Sequence, residues 1–344
     1  MVRALRADVA KRAGVAPSTV SNILNDRAKS LRIAPETVRR VKAAAAELGY
    51  VPQASARSLR GRASRTMGLM LGPLPPNVFV PILHDVVTAA IARSQERQYL
   101  VMPFADPGGE GEDITYVERV LADVDLAGVV SEMSPRNAIA GHRLHQMEVP
   151  VVWMSFGTPA MHPPGVGHAM IRQTGGVEAV LGKLDLARNE EVAIVLGPGH
   201  KPERLGVALR MFDGFVHVVE AESWLADAGA KSMRQIRNEL PRVRTIFCAD
   251  DYLAFGVLHA LNEDGLRVPE DYSVVGFGGF DNGAQISHRL TTVRWPVREL
   301  TIASQDALID HVSGARPLQL QNTAPIIVEL ECEPLFGTTA RLKD

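Results

Sequence analysis

From residue 66 onward the chain alternates short apolar runs with amphipathic stretches of helical length, and no other feature restricts its fold as tightly. MGLMLG, YLVMPF, AGVVSE and VVWMS form a first set, separated by stretches such as PILHDVVTAAIARSQERQ. EVAIVLG, HVVEA, RTIFCA and DYSVVGF form a second. Such a rhythm predicts parallel strands, because a parallel neighbour is reached only through a crossover, and a sheet covered on both faces needs near-continuous apolar strands. Two sets predict two hinged lobes, with a ligand site between them at the carboxyl ends of the strands.

The first 65 residues follow a different pattern. They hold 14 Lys/Arg against 4 Asp/Glu, a formal +10, and the remainder holds 23 against 35, a formal −12, which together give the net −2 of the 344-residue chain. A basic head on an acidic body is the charge distribution of a nucleic-acid module joined to a part that repels nucleic acid. Asp8, Asp26, Glu36 and Glu47 interrupt the basic run, and helix punctuation divides it, which argues against a targeting peptide. In this stretch Leu5, Val9 and Ala13 lie four apart on one helix face, Gly14 supplies a turn, and Pro17 opens a second helix where its missing N–H is no loss. Val20, Ile23 and Leu24 give that helix a stripe to bury. A third helix starts at Ala34, Pro35 and Glu36, carries Val38, Val41, Ala45 and Leu48 at helical spacing, and stops at Gly49. The short turn between the first two predicts a helix-turn-helix.

DVAKRAGVAPSTVSNILN, followed by ETVRRVKAAAAELGYVPQASARSLRG, resembles the DNA-binding head of the lac-repressor (LacI/GalR) family along its whole length and in order. Position by position, the resemblance implies that Thr19, Ser21 and Asn25 anchor phosphates. Pro17, Ser18 and Asn22 are implied to face base edges in the major groove. Two departures stand out. Ala16 replaces the usual N-capping Ser, and DRAKSLRIA is roughly three residues longer than the common family form, so that Arg27, Lys29 and Arg32 either contact phosphate or are simply solvated. Residues 52–65 resemble the family's hinge helix and linker. A helix that short is marginal alone. By resemblance it forms when two copies pack over the minor groove, with Arg57 and Leu59 on the DNA and Leu59 as the wedge. Without the family, Leu59 reads as a linker leucine.

In the body, DDYLAFGVLHALNEDGLRVPEDYSVVGF and RLTTVRWP resemble the family's second lobe and its return to the first. The implied architecture is an all-α helix-turn-helix head (1–51), a hinge (52–65) and an α/β effector-binding and dimerisation body (66–344). That body is expected to be a two-lobed, periplasmic-binding-protein-like fold with parallel sheets. Lobe 1 is expected at about 66–159 and 294–323, and lobe 2 at about 160–293 and 324–344. Between Arg210 and Trp224 the chain is roughly ten residues shorter than the family form, which predicts a stunted helix. No heptad tail follows EPLFGTTARLKD, which fits a homodimer rather than a coiled-coil tetramer.

The resemblance implies a cytoplasmic transcriptional regulator, most often a repressor in this family. It would bind a near-palindromic double-stranded operator, with a small-molecule effector setting its affinity. Phe79 and Trp224 stand where relatives wall the ligand, although both also suit a core aromatic. Asp250 matches a ligand-contacting Asn or Asp. Ser155 and Gly278 occupy positions where the family often carries an Asp, with Asp281 displaced by three. Arg210 is one residue off the usual Arg before the Gly214–Phe215 pair, which leaves Met211 as its rival. With two acids gone and Lys201, Arg204 and Arg210 following GPGH, an anionic metabolite competes with a sugar held by Asp250 and Trp224. A body that binds no small molecule is the third alternative.

Other chemistries fit less well. GPGH at 197–200 follows a strand but lacks P-loop spacing and a GK[ST] ending, and no GxSxG elbow occurs. His142 and His145, at i and i+3, read as helix-surface histidines rather than metal ligands. The pair Asp250–Asp251 suits a helix N-terminus, where carboxylates meet unpaired N–H groups. Cys248 and Cys332 lie in apolar runs, as buried thiols do in a reducing compartment. No apolar run approaches the roughly 18 residues of a membrane span, and no signal-peptide core is present. The expectation is therefore no catalytic residue, no metal, no cofactor and no membrane partner.

Overall fold

Gly14 adopts a backbone φ of +63°, and the first helical hairpin depends on it. Helix α1 (Arg6–Ala13) ends there in a Schellman arrangement, with Val15 N–H donating to Ala10 O at 3.0 Å and Gly14 N–H to Lys11 O at 3.4 Å. Helix α2 (Pro17–Leu24) begins two residues later, with the Ala16 carbonyl accepting from Thr19 and Val20. Helix α3 (Pro35–Glu47) starts at its proline, and Ala34 gives it no side-chain cap. Val9, Ala13, Val20, Ile23, Val41 and Ala45 are buried together as the core of this head. Arg40 donates to the Ala13 carbonyl at 3.0 Å, and an exposed Arg12–Glu47 pair at 2.8 Å ties α1 to α3.

The structure, a computed structural model, describes residues 6–24, 28, 30–48, 64–74, 81–108, 113–159, 161–186, 190–199, 202–212, 215–280 and 289–344. The chain divides into two compact units, residues 1–64 and 65–344. The hinge residues 52–63 lie outside the described residues, and so do Asn25, Arg57, Leu59, Phe79, Lys201 and Asp281.

The second unit contains two parallel sheets. The first holds β1 (Thr66–Leu71), β2 (Leu100–Ala105), β3 (Gly128–Glu132), β4 (Val151–Ser155), β5 (Gly167–Arg172) and β11 (Ile326–Glu331), in the order β11-β5-β4-β3-β1-β2. Helices α4 (Pro81–Glu96), α5 (Thr115–Asp123), α6 (Pro135–Gln146) and α11 (Val297–Val312) belong to it. The second holds β6 (Glu191–Leu196), β7 (Val216–Glu220), β8 (Val243–Cys248) and β9 (Ser273–Val275), in the order β7-β6-β8-β9. Its helices are α7 (Thr174–Gly182), α8 (Pro202–Phe212), α9 (Ala226–Glu239) and α10 (Asp251–Glu263). β10 (Thr292–Arg294) and β12 (Glu333–Leu335) form a short antiparallel pair.

The lobe boundaries differ from those the sequence pattern predicts. β5 pairs with β4 (Met154 with Ala169) and β11 pairs with β5 (Glu329 with Met170), so residues 167–172 and 326–331 belong to the first sheet. All but the last residue of β5 are buried, as suits an inner strand of a parallel sheet covered on both faces. The chain therefore crosses between lobes at Gln173, at residues 291–296 and at Cys332.

After Arg210 the helix α8 runs to Phe212, 11 residues in all, and β7 begins at Val216. Leu209, Met211, Phe215 and Val218 are exposed beside it.

Tight contacts hold each lobe together. Trp153 is fully buried against Gly141 and Gly165, where a side chain would overlap its ring, and its Nε1–H donates to Pro164 O at 2.9 Å. In the second lobe α9 and α10 approach through Gly229 and Gly256. A methyl at either would run into the Leu253 or Ala226 carbonyl. Arg93 on α4 and Arg97 just past its end share Asp306 on α11, each at 2.8 Å, which fixes those two helices side by side.

Candidate functional site

The head offers the start of α2. Pro17 and Ser18 are exposed, and Thr19 and Asn22 are half-buried. Ser21, implied to be a phosphate anchor, lies instead on the core side with Val20 and Ile23 and retains 9% exposure. Helical geometry explains this, because Ser21 follows the buried Val20 and lies one turn before Leu24, which packs on the same core.

The body offers a cleft at the carboxyl ends of both sheets. On the first-lobe side β3 ends at Glu132, whose carboxylate accepts the Gly72 N–H at 2.9 Å, and β4 runs out through Ser155, Phe156, Gly157 and Thr158. On the second-lobe side stand Gly197 and Pro198 after β6, the first turn of α8, Trp224 after β7, Asp250 after β8 and Phe277 after β9. The Trp224 ring lies on Gly197, where no side chain could fit beneath it, and its Nε1–H donates to Pro198 O at 2.9 Å.

Arg204 sits at the centre of this arrangement and is 5% exposed. Its Nε donates to Gln173 Oε1 at 2.9 Å, and its Nη1 donates to the Ala249 carbonyl. The guanidinium carbon lies 3.6 Å from the Phe277 ring centroid and 4.7 Å from that of Trp295. Phe156 and Phe277 both pack edge-on to Trp295. Burial lowers the Arg204 pKa to about 10 against the opposing pull of Asp250, and the group stays charged at neutral pH.

The acidic pair lies beside it. Asp250 caps α10 by accepting the Tyr252 N–H at 2.8 Å. Asp251 is fully buried and accepts Thr292 Oγ1–H at 2.6 Å and Phe280 N–H at 2.9 Å. It thereby ties α10 both to a lobe crossing and to the tail of β9.

Of the effector candidates, Trp224 and Asp250 reach the cleft. Arg210 does not. It sits in the last turn of α8, pointing away from the strand ends, and pairs with Glu178 on α7 at 2.9 Å. Ser155 is 5% exposed, and its hydroxyl is taken up by His168 Nε2 at 2.7 Å. Burial lowers the His168 pKa to about 4, so this imidazole is neutral. Gly278 has a φ of +137° and contributes backbone alone. Nothing in the sequence pattern marks Phe156, Thr158, Gln173, Glu203 or Trp295, and Arg204 stands there only as one of the bases after GPGH. Among the described residues no group of three or more His, Cys, Asp or Glu side chains could hold a metal ion.

Comparison with known proteins gives matches in both parts of the chain. Residues 7–53 match the model of the bacterial regulatory proteins of the lacI family, and residues 201–329 match that of a periplasmic binding protein-like domain. The HTH-type transcriptional repressor PurR of Klebsiella pneumoniae subsp. pneumoniae is 27% identical over 318 residues, covering 90% of each chain. That of Erwinia tasmaniensis is 29% identical over 323 residues, again with 90% of each covered. Among solved structures, the lac repressor dimer bound to operator and the anti-inducer ONPF superposes with a TM-score of 0.79 at 23% identity, covering 99% of this chain and 100% of that one. The complex of the transcriptional regulator CelR with cellobiose gives 0.62 at 24% identity, covering 98% and 100%. These two likenesses are likenesses of fold.

The acids give the cleft a pH signature. Burial pushes Asp250 up to about 7 and Asp251 up to about 6. An acid whose folded pKa is raised stabilises the fold at low pH, and that contribution is lost as pH rises from the unfolded value near 4 through the folded value. Asp250→Asn keeps an oxygen to cap α10 but cannot ionise. Urea midpoints across pH 4–8 should show the variant gaining on the wild type between about pH 4 and about pH 7 and holding that gain above. Parallel profiles would refute the buried, proton-binding Asp250.

Proposed function

Because the chain belongs to the lacI family of bacterial transcriptional regulators, we propose that it binds a near-palindromic operator as a homodimer through α2, with a small molecule seated between its lobes setting that affinity. The carrying observation is the match over residues 7–53 together with the formal +10 of the first 65 residues. In this reading Pro17, Ser18 and Asn22 meet base edges. Thr19 and Asn25 hold phosphates, and Arg57 and Leu59 work in the minor groove. β2 is the edge of the six-stranded sheet, and its exposed Leu100 suits burial against a second copy. The protein acts without catalysis, in the cytoplasm where its operator lies. No described helix is long and apolar enough to cross a membrane.

The cleft favours a neutral polar effector, such as a sugar, over an anion. Among the described residues, Arg210 is engaged outside the cleft, while Arg204 is already bound to Gln173 and Ala249 with acidic neighbours at hand. Trp224 supplies an apolar wall and Asp250 a polar contact, the usual division of labour in a small-molecule site.

Two measurements test these readings. Affinity for duplex DNA should fall by roughly 10³–10⁵ between 50 and 200 mM salt, a magnitude taken from DNA-binding proteins that include the lac repressor. Salt-independent binding, or no preference for duplex over single strand, would overturn the regulator. In a thermal-shift panel, neutral sugars should stabilise the protein, by about 2.7 kcal/mol at a hundredfold excess over Kd. Stabilisation by sugar phosphates or organic acids alone would reverse the effector assignment.

A further inference from the structure

We propose that the first turn of α8 is a built-in latch, in which Glu203 holds the two lobes closed across the cleft before any effector arrives. Its meeting with an effector rests on reading the cleft as the effector site. The latch itself rests on geometry alone.

Two connections join α8 to the tail of β4. Glu203 Oε1 accepts the Thr158 N–H at 2.5 Å, a hydrogen bond between a second-lobe helix and a first-lobe loop. Beside it runs a relay. Gln173 Nε2 donates to the Phe156 carbonyl, Arg204 Nε donates to Gln173 Oε1, and Arg204 Nη1 donates to the Ala249 carbonyl. First lobe, crossing segment and second lobe are thus linked without a break. Gly157 allows the approach, since a Cβ there would come within 3.2 Å of both Gln173 Nε2 and Glu203 Oε2.

The latch is incompletely satisfied. Glu203 Oε2 is buried without a hydrogen-bond partner, and so is Trp295 Nε1 on the cleft floor. A buried polar atom left unpaired keeps its full desolvation cost. A ligand that offers a donor to Glu203 or an acceptor to Trp295 gains what the closed protein lacks. Glu203 Oε1 keeps its bond to Thr158 meanwhile, so such a ligand joins the latch rather than displacing it.

Acrylamide quenching of tryptophan fluorescence in the full-length protein, with no effector present, tests the latch. Trp153 is fully buried in the first lobe, whereas Trp224 and Trp295 line the cleft and respond to opening. Glu203→Ala should raise the Stern–Volmer constant about twofold as the lobes part. Glu203→Gln should stay at the wild-type value, because its amide oxygen still accepts from Thr158. Thr158→Pro, which deletes the donor from the opposite lobe, should match Glu203→Ala. Glu178→Ala, which breaks the Arg210 pair outside the cleft, should change nothing. Unchanged quenching in Glu203→Ala, or equal increases in Glu203→Ala and Glu203→Gln, overturns the latch. If Glu203→Ala fails to fold, Thr158→Pro compared with Glu203→Gln separates the same two outcomes. With no ligand in the cuvette, the result stands apart from the thermal-shift test of the effector site.

Discussion

A parallel sheet covered on both faces sends every strand in one direction, so the loops that follow the strands gather along a single edge. Both sheets of this protein obey that constraint. The chain passes between them at Gln173, at residues 291–296 and at Cys332, and the two loop edges meet around the first of these crossings. The groups that matter in the body come from the residues just past a strand: Phe156 and Thr158 after β4, Glu203 and Arg204 after β6, Trp224 after β7, Asp250 after β8. These groups come from four separate stretches of sequence. The topology brings them together.

That convergence has an electrostatic consequence. Arg204 is buried with Asp250, Asp251 and Glu203 nearby, and a charge in such surroundings is tolerable only when its hydrogen-bonding positions are filled. Gln173 and the Ala249 carbonyl accept from its Nε and Nη1, and its flat face lies against Phe277 and Trp295. The carboxylates are less fully compensated, which is why burial raises Asp250 and Asp251 toward neutrality and leaves Glu203 Oε2 unpaired. The cleft is thus tightly held at its base and poised at its rim. A two-state element of that kind lets ligand binding shift lobe closure.

Much of this was legible in the sequence where the signal is local. Gly14 and Pro17 fixed the first hairpin, since a positive φ and a first-position proline each leave few alternatives. The apolar runs located the strands because a buried strand cannot be polar. Which sheet a strand joins is not a local property, so GHAMIR and IIVELE read as second-lobe elements although they pair into the first sheet. Helix register caused two further misplacements. Arg210 lies nearly two turns beyond Arg204 and faces Glu178, and Ser21 falls on the inward side of α2. Ser155 looks available in the sequence, but His168, thirteen residues away, occupies its hydroxyl. Contacts such as Glu203 with Thr158 span 45 residues and leave no trace in spacing or composition.

A basic helix-turn-helix head and a two-lobed body work together here as one sequence-specific regulator. Selecting sites from a random duplex library with the purified full-length protein tests it most directly. The expected outcome is enrichment of a near-palindromic sequence whose two half-sites lie about one helical turn apart, as two symmetry-related α2 helices would require. Recovery of no preferred sequence, or of a single asymmetric half-site bound by a monomer, would contradict it.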